Sequence, residues 1–273
     1  MTQTSSGYIE LDGGRIFYQT AGAGEALVLC HAGFVDSRMW DDQWDELARR
    51  YRVVRFDMRG YGQSDPAGGP ISRRADLLWV LERLGIERAI LVGCSLGGEV
   101  ALDFALEHPE MVTALALVSA APGGFAMQGE PPRYLFEMIG AIEAGDLERA
   151  AELQTRIWID GSFREPEEVD AGLRQRAREM SLIALENDTW RTVDTQPLSP
   201  LDPPAAERLG EVRAPTLIVA GDRDHPEILR AAEALAAGIG DARQEIMAGC
   251  AHMPSMEQPA RFNQLLLDFL ASV

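Results

Sequence analysis

Short apolar runs that read as β-strands recur along this chain, and amphipathic helical patterns fill the intervals. The runs occupy residues 27–30, 51–56, 89–92, 115–119, 216–220 and, more weakly, 244–247. Met39, Trp40, Gln43, Trp44, Leu47 and Ala48 share one helical face, and Leu77, Leu78, Leu81 and Leu84 share another. The same spacing recurs at Val100, Ala101, Phe104 and Ala105, and at Phe262, Leu265, Leu266, Phe269 and Leu270. Strands that alternate with helices return by right-handed crossovers to one sheet. The predicted fold class is therefore α/β, a mostly parallel sheet with helices on both faces. Ligands of such sheets bind at the carboxyl ends of the strands. Alternation around Asp12-Gly13-Gly14 within residues 7–20 adds a hairpin at the start.

The rhythm breaks between Pro122 and Pro215, where residues 134–143, 147–159 and 167–186 read as helical with no strand of crossover type. Residues 1–122 and 215–273 are thus expected to form the sheet core, and 123–214 a helical cap. The proline-rich stretch 196–204 reads as the return linker.

The net charge of −18, from 43 acidic against 25 basic residues, argues against nucleic acid and anionic membranes as partners. The chain contains no lysine, which excludes Schiff-base catalysis, a Ser–Lys dyad and a lysine-dependent phosphate loop. No apolar run approaches the length of a membrane span, and no signal-peptide core is visible, so a cytoplasmic protein is expected. Three cysteines, Cys30, Cys94 and Cys250, suit a reducing compartment and read as packing residues at crowded strand ends. The oligomeric state is left open.

Gly93-Cys94-Ser95-Leu96-Gly97 sits between an apolar strand run and a helical run. That is the strand–turn–helix setting in which G-x-S-x-G raises a serine clear of the sheet. A serine nucleophile also needs a base, an acid to orient it and donors for an oxyanion. Of four histidines, His108 reads as a helix-end residue and His225 as a solvated loop residue. His252, in the loop Gly249-Cys250-Ala251-His252-Met253-Pro254 after the last strand run, is the expected base. The acid belongs between nucleophile and base in chain order. Gly221-Asp222-Arg223-Asp224 offers two aspartates. Asp222, at the strand end, reads as a turn former; Asp224, further out, is favoured as the acid. For the oxyanion, the Leu96 N–H stands at a helix start, and the loop His31-Ala32-Gly33-Phe34 offers Gly33, with Phe34 as the alternative donor. His31 itself reads as a buried ring that fixes this loop.

These parts together resemble the α/β-hydrolase superfamily over nearly the whole chain. His31-Ala32-Gly33 is similar to the family's His-Gly oxyanion loop, with alanine for the first glycine. Asp57-Met58-Arg59-Gly60-Tyr61-Gly62-Gln63-Ser64-Asp65 resembles the Asp-x-Arg-Gly-x-Gly-x-Ser turn of its esterase, lactonase and haloperoxidase-like branch; the turn is structural there, so Ser64 is no rival nucleophile. Residues 221–224 resemble the acid loop, and residues 249–254, followed by Glu257 and Pro259, the histidine loop. The resemblance implies a Ser95–His252–Asp224 triad and hydrolysis through an acyl-enzyme, with no metal or organic cofactor. Serine in place of aspartate at position 95 excludes the epoxide-hydrolase and dehalogenase branches, and the missing lysine tells against the cyanohydrin-cleaving one. The carbon–carbon hydrolases of that superfamily usually carry a longer Gly-x-Gly-Pro-Gly loop, which residues 31–35 lack.

The expected substrate is therefore a small or medium apolar carboxylic ester. Enol-lactone or carbon–carbon (diketone) hydrolysis is the first alternative, and a ligand receptor with little turnover the second. Phe34, Phe125, Met127, Phe136, Trp158 and Trp190 are the candidate pocket residues, and Arg133, Arg156 and Arg191 the candidate cations for an anionic substrate.

Overall fold

The computed structural model describes residues 3–195 and 198–273; Gln196 and Pro197 of the predicted return linker lie outside the described residues. Eight strands form one sheet: β1 (Ser5–Leu11), β2 (Gly14–Ala21), β3 (Ala26–Cys30), β4 (Arg52–Phe56), β5 (Ala89–Cys94), β6 (Val112–Val118), β7 (Thr216–Gly221) and β8 (Ala242–Met247). Their order is β1-β2-β4-β3-β5-β6-β7-β8. The β1–β2 hairpin and the β2–β4 pairing are antiparallel; all other pairings are parallel. The carboxyl ends of β3 to β8 therefore share one edge.

The helices are α1 (Asp41–Ala48), α2 (Arg73–Arg83), α3 (Leu96–Glu107), α4 (Leu135–Ala144), α5 (Leu147–Thr155), α6 (Ala171–Glu186), α7 (Pro226–Gly238), α8 (Pro254–Glu257) and α9 (Pro259–Leu270). Every residue of β3, β5 and β7 is buried, as a strand covered on both faces must be. Val28 and Cys30 face one core with Leu77 and Leu81 of α2, Phe104 of α3 and Leu235 of α7. Leu27 and Leu29 face the other with Leu47 of α1 and Phe262, Leu266 and Leu270 of α9. Each such side chain contributes about 1.5–3 kcal/mol on leaving water.

The β6–β7 connection holds α4, α5 and α6, with a π-helical turn, Arg156–Asp160, following α5. Met138, Ile142, Ala150, Leu153 and Leu185 give it a small core of its own, while Leu173, Ala177 and Met180 of α6 join the α1–α9 side of the main core. Among the described residues, no helix is long and apolar enough to cross a membrane.

Candidate active site

Ser95 joins β5 to α3 with φ 49° and ψ −114°, a left-handed backbone that a residue bearing a Cβ holds only under strain. Its amide donates to Val118 O at 2.8 Å, and its carbonyl accepts from Glu99 N at 2.9 Å. The flanking glycines follow from how tightly strand, helix and neighbouring loop converge. A Cβ at Gly93 would stand 2.2 Å from Gly97 O, and one at Gly97 would stand 2.3 Å from Cys30 O. No other residue fits either position without moving backbone.

The loops after β7 and β8 meet at this turn. His252 Nδ1 lies 2.8 Å from Asp224 Oδ2, and both residues are buried. Asp224 Oδ1 accepts His225 N–H at 2.7 Å, which fixes the carboxylate. Asp222 does something else: its Oδ1 accepts Gly249 N–H at 2.6 Å and ties the two loops at their base. Cys94 Sγ packs 3.9 Å from His252 O and 3.9 Å from Met253 Sδ, so the histidine loop rests on the residue preceding Ser95. Among the described residues Ser95 Oγ makes no hydrogen bond; serine–histidine contacts of this kind commonly close only in the substrate complex. With the Nδ1 proton directed at Asp224, Nε2 of His252 is left as the acceptor a serine proton requires.

The loop after β3 packs against the start of α3, next to Ser95. Leu96, at the first position of α3, has an N–H with no intrahelical acceptor. Gly33 lies against it: a Cβ on Gly33 would touch Leu96 Cβ at 3.3 Å. Buried His31 accepts Met58 N–H at Nε2 (2.9 Å) and contacts Ala32 O through Nδ1 (2.8 Å). Burial lowers its pKa, so it serves as a neutral brace for the loop. Ser64 Oγ is likewise occupied, donating to Asp57 O at 2.5 Å and accepting Phe17 N–H at 2.8 Å. Tyr61, in the turn after β4, is a residue of this region that the site expected from the sequence does not include. Its hydroxyl bridges Gly33 O and, at 2.5 Å, Asp194 Oδ2. The only sequence signal was an aromatic residue between Gly60 and Gly62.

The candidate pocket residues separate into two groups. Phe34 stacks on Trp158 with ring centroids 6.3 Å apart, and Trp158 lies 4.7 Å from the His252 ring. Trp158 and Met127, with Pro131, Pro132, Leu135 and Ile228, line an apolar cavity of about 370 Å³. Phe136, by contrast, points outward from α4 and is 73% exposed. Trp190 packs into the small core of the β6–β7 connection, and Phe125 lies beneath the Arg230 guanidinium, 4.1 Å from its centre. Phe136 thus faces solvent on α4, Phe125 is covered by Arg230 in the loop after β6, and Trp190 is taken up by the small core that Trp158 also touches. None of the three is among the described residues that line the cavity, and these three positions are corrected accordingly. His225 is also not a free loop residue. It caps α7 by accepting Glu227 N–H at 3.3 Å, and it lines the same cavity as Trp158. His108 ends α3 as expected.

The candidate cations carry carboxylates. Arg156 pairs with Glu165 (2.7 Å) and Asp160 (3.3 Å), Arg133 lies 3.9 Å from Glu165, and Arg191 lies 3.3 Å from Asp188.

All three cysteines are buried, and burial pushes the Cys30 and Cys250 thiols up to about 12 and the Cys94 thiol higher still. The thiolate is the reactive form. Iodoacetamide at pH 8 is therefore expected to leave the folded protein unlabelled and to label all three cysteines once it is denatured, as read by intact mass.

The model of the "Alpha/beta hydrolase family" matches residues 27–265, and the chain belongs to that family and is a hydrolase. It is 31% identical, over 93% of its length and 91% of the relative's, to a 2-hydroxy-6-oxo-6-phenylhexa-2,4-dienoate hydrolase of Comamonas testosteroni. It is 32% identical, over 95% and 93%, to a 2-hydroxy-6-oxononadienedioate/2-hydroxy-6-oxononatrienedioate hydrolase of Paraburkholderia phymatum. Among solved structures it is similar to Est816, described as an N-acyl homoserine lactone degrading enzyme. That match has a TM-score of 0.76 and 26% identity, covering 96% of this chain and 100% of that one. These relatives favour the lactone and carbon–carbon alternative over the ester that the short loop at residues 31–35 put first.

Proposed function

We propose that this hydrolase cleaves the carbon–carbon bond beside the ketone of a 2-hydroxy-6-oxo-dienoate whose 6-substituent is apolar. The observation that carries this reading is the likeness to two hydrolases named for such substrates, over 93% and 95% of the chain. In this mechanism Ser95 Oγ attacks the ketone carbon while His252 takes its proton and Asp224 holds the imidazolium. The Leu96 and Gly33 N–H groups, with Phe34 as the alternative to Gly33, hold the oxyanion. Collapse breaks the carbon–carbon bond. This requires the 2-oxo tautomer, in which carbon 5 has gained a proton, the 2-hydroxyl has lost one and the double bond lies between carbons 3 and 4. The electron pair of the broken bond then passes through that double bond into a dienolate, whose 2-oxygen takes the proton from His252. Water, activated by the same histidine, then releases the acid from Ser95. The helical segment 123–214 is the cap that walls this site.

The cavity bounded by Trp158 supports an apolar tail. Its charged lining is Glu130 and Glu227, and the Arg230 guanidinium holds the Glu227 carboxyl down to about 2, so it stays ionised. Arg230 is taken up by that pairing and no arginine is among the described residues that line the cavity, so a tail ending in a second carboxylate would find no cation to pair with there. One observation favours a second reading, hydrolysis of a neutral ester: Arg133 and Arg156 are already paired with carboxylates, while a dienoate brings a carboxylate of its own.

Steady-state kcat/KM on three compounds separates these. The expected order is 2-hydroxy-6-oxo-6-phenylhexa-2,4-dienoate first, then p-nitrophenyl butyrate, with 2-hydroxy-6-oxononadienedioate at least tenfold below the phenyl compound. Rapid butyrate hydrolysis with no turnover of either dienoate would establish the ester reading instead.

A further inference from the structure

We propose that Arg164, in the β6–β7 connection, is a positioning residue for His252 and acts through Glu257. The proposal rests on the reading of His252 as the base. Glu257 Oε1 accepts Ala251 N–H at 2.9 Å and Met253 N–H at 3.3 Å, so one carboxylate oxygen brackets His252 from both sides along the chain. The other oxygen accepts Arg164 Nη2 at 2.7 Å. Arg164 also donates to three backbone carbonyls: Asp160 O from Nε (2.9 Å), Ile159 O from Nη2 (2.6 Å) and Gly249 O from Nη1 (3.2 Å). Both charged side chains are largely buried, at 16% and 5% exposure.

These contacts join two segments that the chain order keeps far apart. Ile159 and Asp160 end the π-helical turn that carries Trp158, the ring 4.7 Å from His252. Gly249 begins the histidine loop. Gly161 abuts both loops at the same place, where a Cβ would stand 2.7 Å from Ala251 Cβ and 2.7 Å from Arg223 O. One planar guanidinium thus registers the wall of the pocket and the loop of the base against each other, using the fixed fork of donors that only arginine has. Without it, the Glu257 carboxylate is buried with no counter-ion. It is then driven to take a proton or to turn toward water, and either change weakens its hold on Ala251 and Met253. A displacement of about 1 Å at a reacting group costs about 100-fold in rate.

The test uses inactivation by an alkyl fluorophosphonate, which reports the Ser95–His252 pair whatever the natural substrate is. Arg164→Ala is expected to lower kinact about 10- to 100-fold, with KI changed less than about threefold. Arg164→Lys should recover part of the loss, since an ammonium can pair with Glu257 but cannot reach all three carbonyls. Glu257→Gln should lose a comparable amount. The double variant should lose no more than the larger single loss, the signature of one coupled unit. Should Arg164→Ala fail to fold, Arg164→Lys and Arg164→Gln carry the same comparison. Parent-like kinact in the arginine variants, or fully additive losses in the double variant, would overturn the proposal. A parent enzyme that is not labelled at Ser95 would overturn the triad reading and this proposal with it.

Discussion

Ser95→Ala is expected to lower kcat by about 10⁶-fold, the scale on which a serine nucleophile fails alone, while the fold stays intact. The two halves of this expectation come from different observations. Ser95 Oγ has no hydrogen-bond partner among the described residues, and alanine keeps the Cβ that the φ of 49° already accommodates. Removing the hydroxyl therefore breaks no contact that holds the turn. The stability change should stay within about 0.5 kcal/mol, or about 2 °C in Tm. A fluorophosphonate should label the parent once, at the peptide carrying Ser95, and should not label the variant. Ser64 is the control. Its hydroxyl is held by Asp57 O and Phe17 N–H, and no imidazole bonds to it. Label at Ser64, or activity surviving in Ser95→Ala, would remove the acyl-enzyme mechanism altogether.

What could be read along the chain and what could not divide on physical lines. β3, β5 and β7 are buried on both faces, so each appears as an unbroken apolar run. The Gly93 and Gly97 spacing is visible because backbone contact leaves no alternative to glycine. Helix α7 is less legible. Its buried apolar residues, Ile228, Ala231, Ala232 and Leu235, do have helical spacing, but alanine at two of the four positions makes a faint stripe in a segment where alanine also occupies the other faces. The roles of Tyr61 and Arg164 cannot be read along the chain, because each lies in a partner far away, and Glu257 shows only as part of the histidine-loop resemblance. Tyr61 reaches Asp194, and Arg164 reaches Glu257, 93 positions away. The pocket residues failed for a related reason. Composition identifies Phe136 and Trp158 alike as bulky and apolar, and only the turn of the helix decides that one faces solvent and the other His252. The scissile bond is the least legible of all. A serine, a histidine and two amide donors serve an ester and a diketone equally, and discrimination falls to the pocket wall and its charges.

Asp224→Asn and Asp222→Asn should differ by about three orders of magnitude or more, with kcat falling about 10⁴-fold in the first and staying within about threefold of the parent in the second. The contrast turns on what each carboxylate must do. Asp224 has two partners of different kinds: Oδ1 accepts His225 N–H at 2.7 Å, and Oδ2 faces His252 Nδ1 at 2.8 Å. An asparagine keeps the first bond only by placing its oxygen toward His225. Its amino group then points at Nδ1 and donates to it. That moves the ring proton to Nε2, where a base must instead be free to accept. The geometry survives and the tautomer is wrong. Asp222 has a single backbone partner at its Oδ1, Gly249 N–H at 2.6 Å, and its side chain is partly open to water. An amide oxygen accepts that proton as well as a carboxylate does, so the loop keeps its tie. Nitrogen-15 NMR of the His252 ring in the Asp224→Asn protein reads the tautomer directly, independently of turnover. Equal losses in the two variants, or a large loss in Asp222→Asn alone, would shift the orienting acid to the end of β7. The 2.8 Å contact between Asp224 and His252 would then be packing within the loop rather than part of the chemistry.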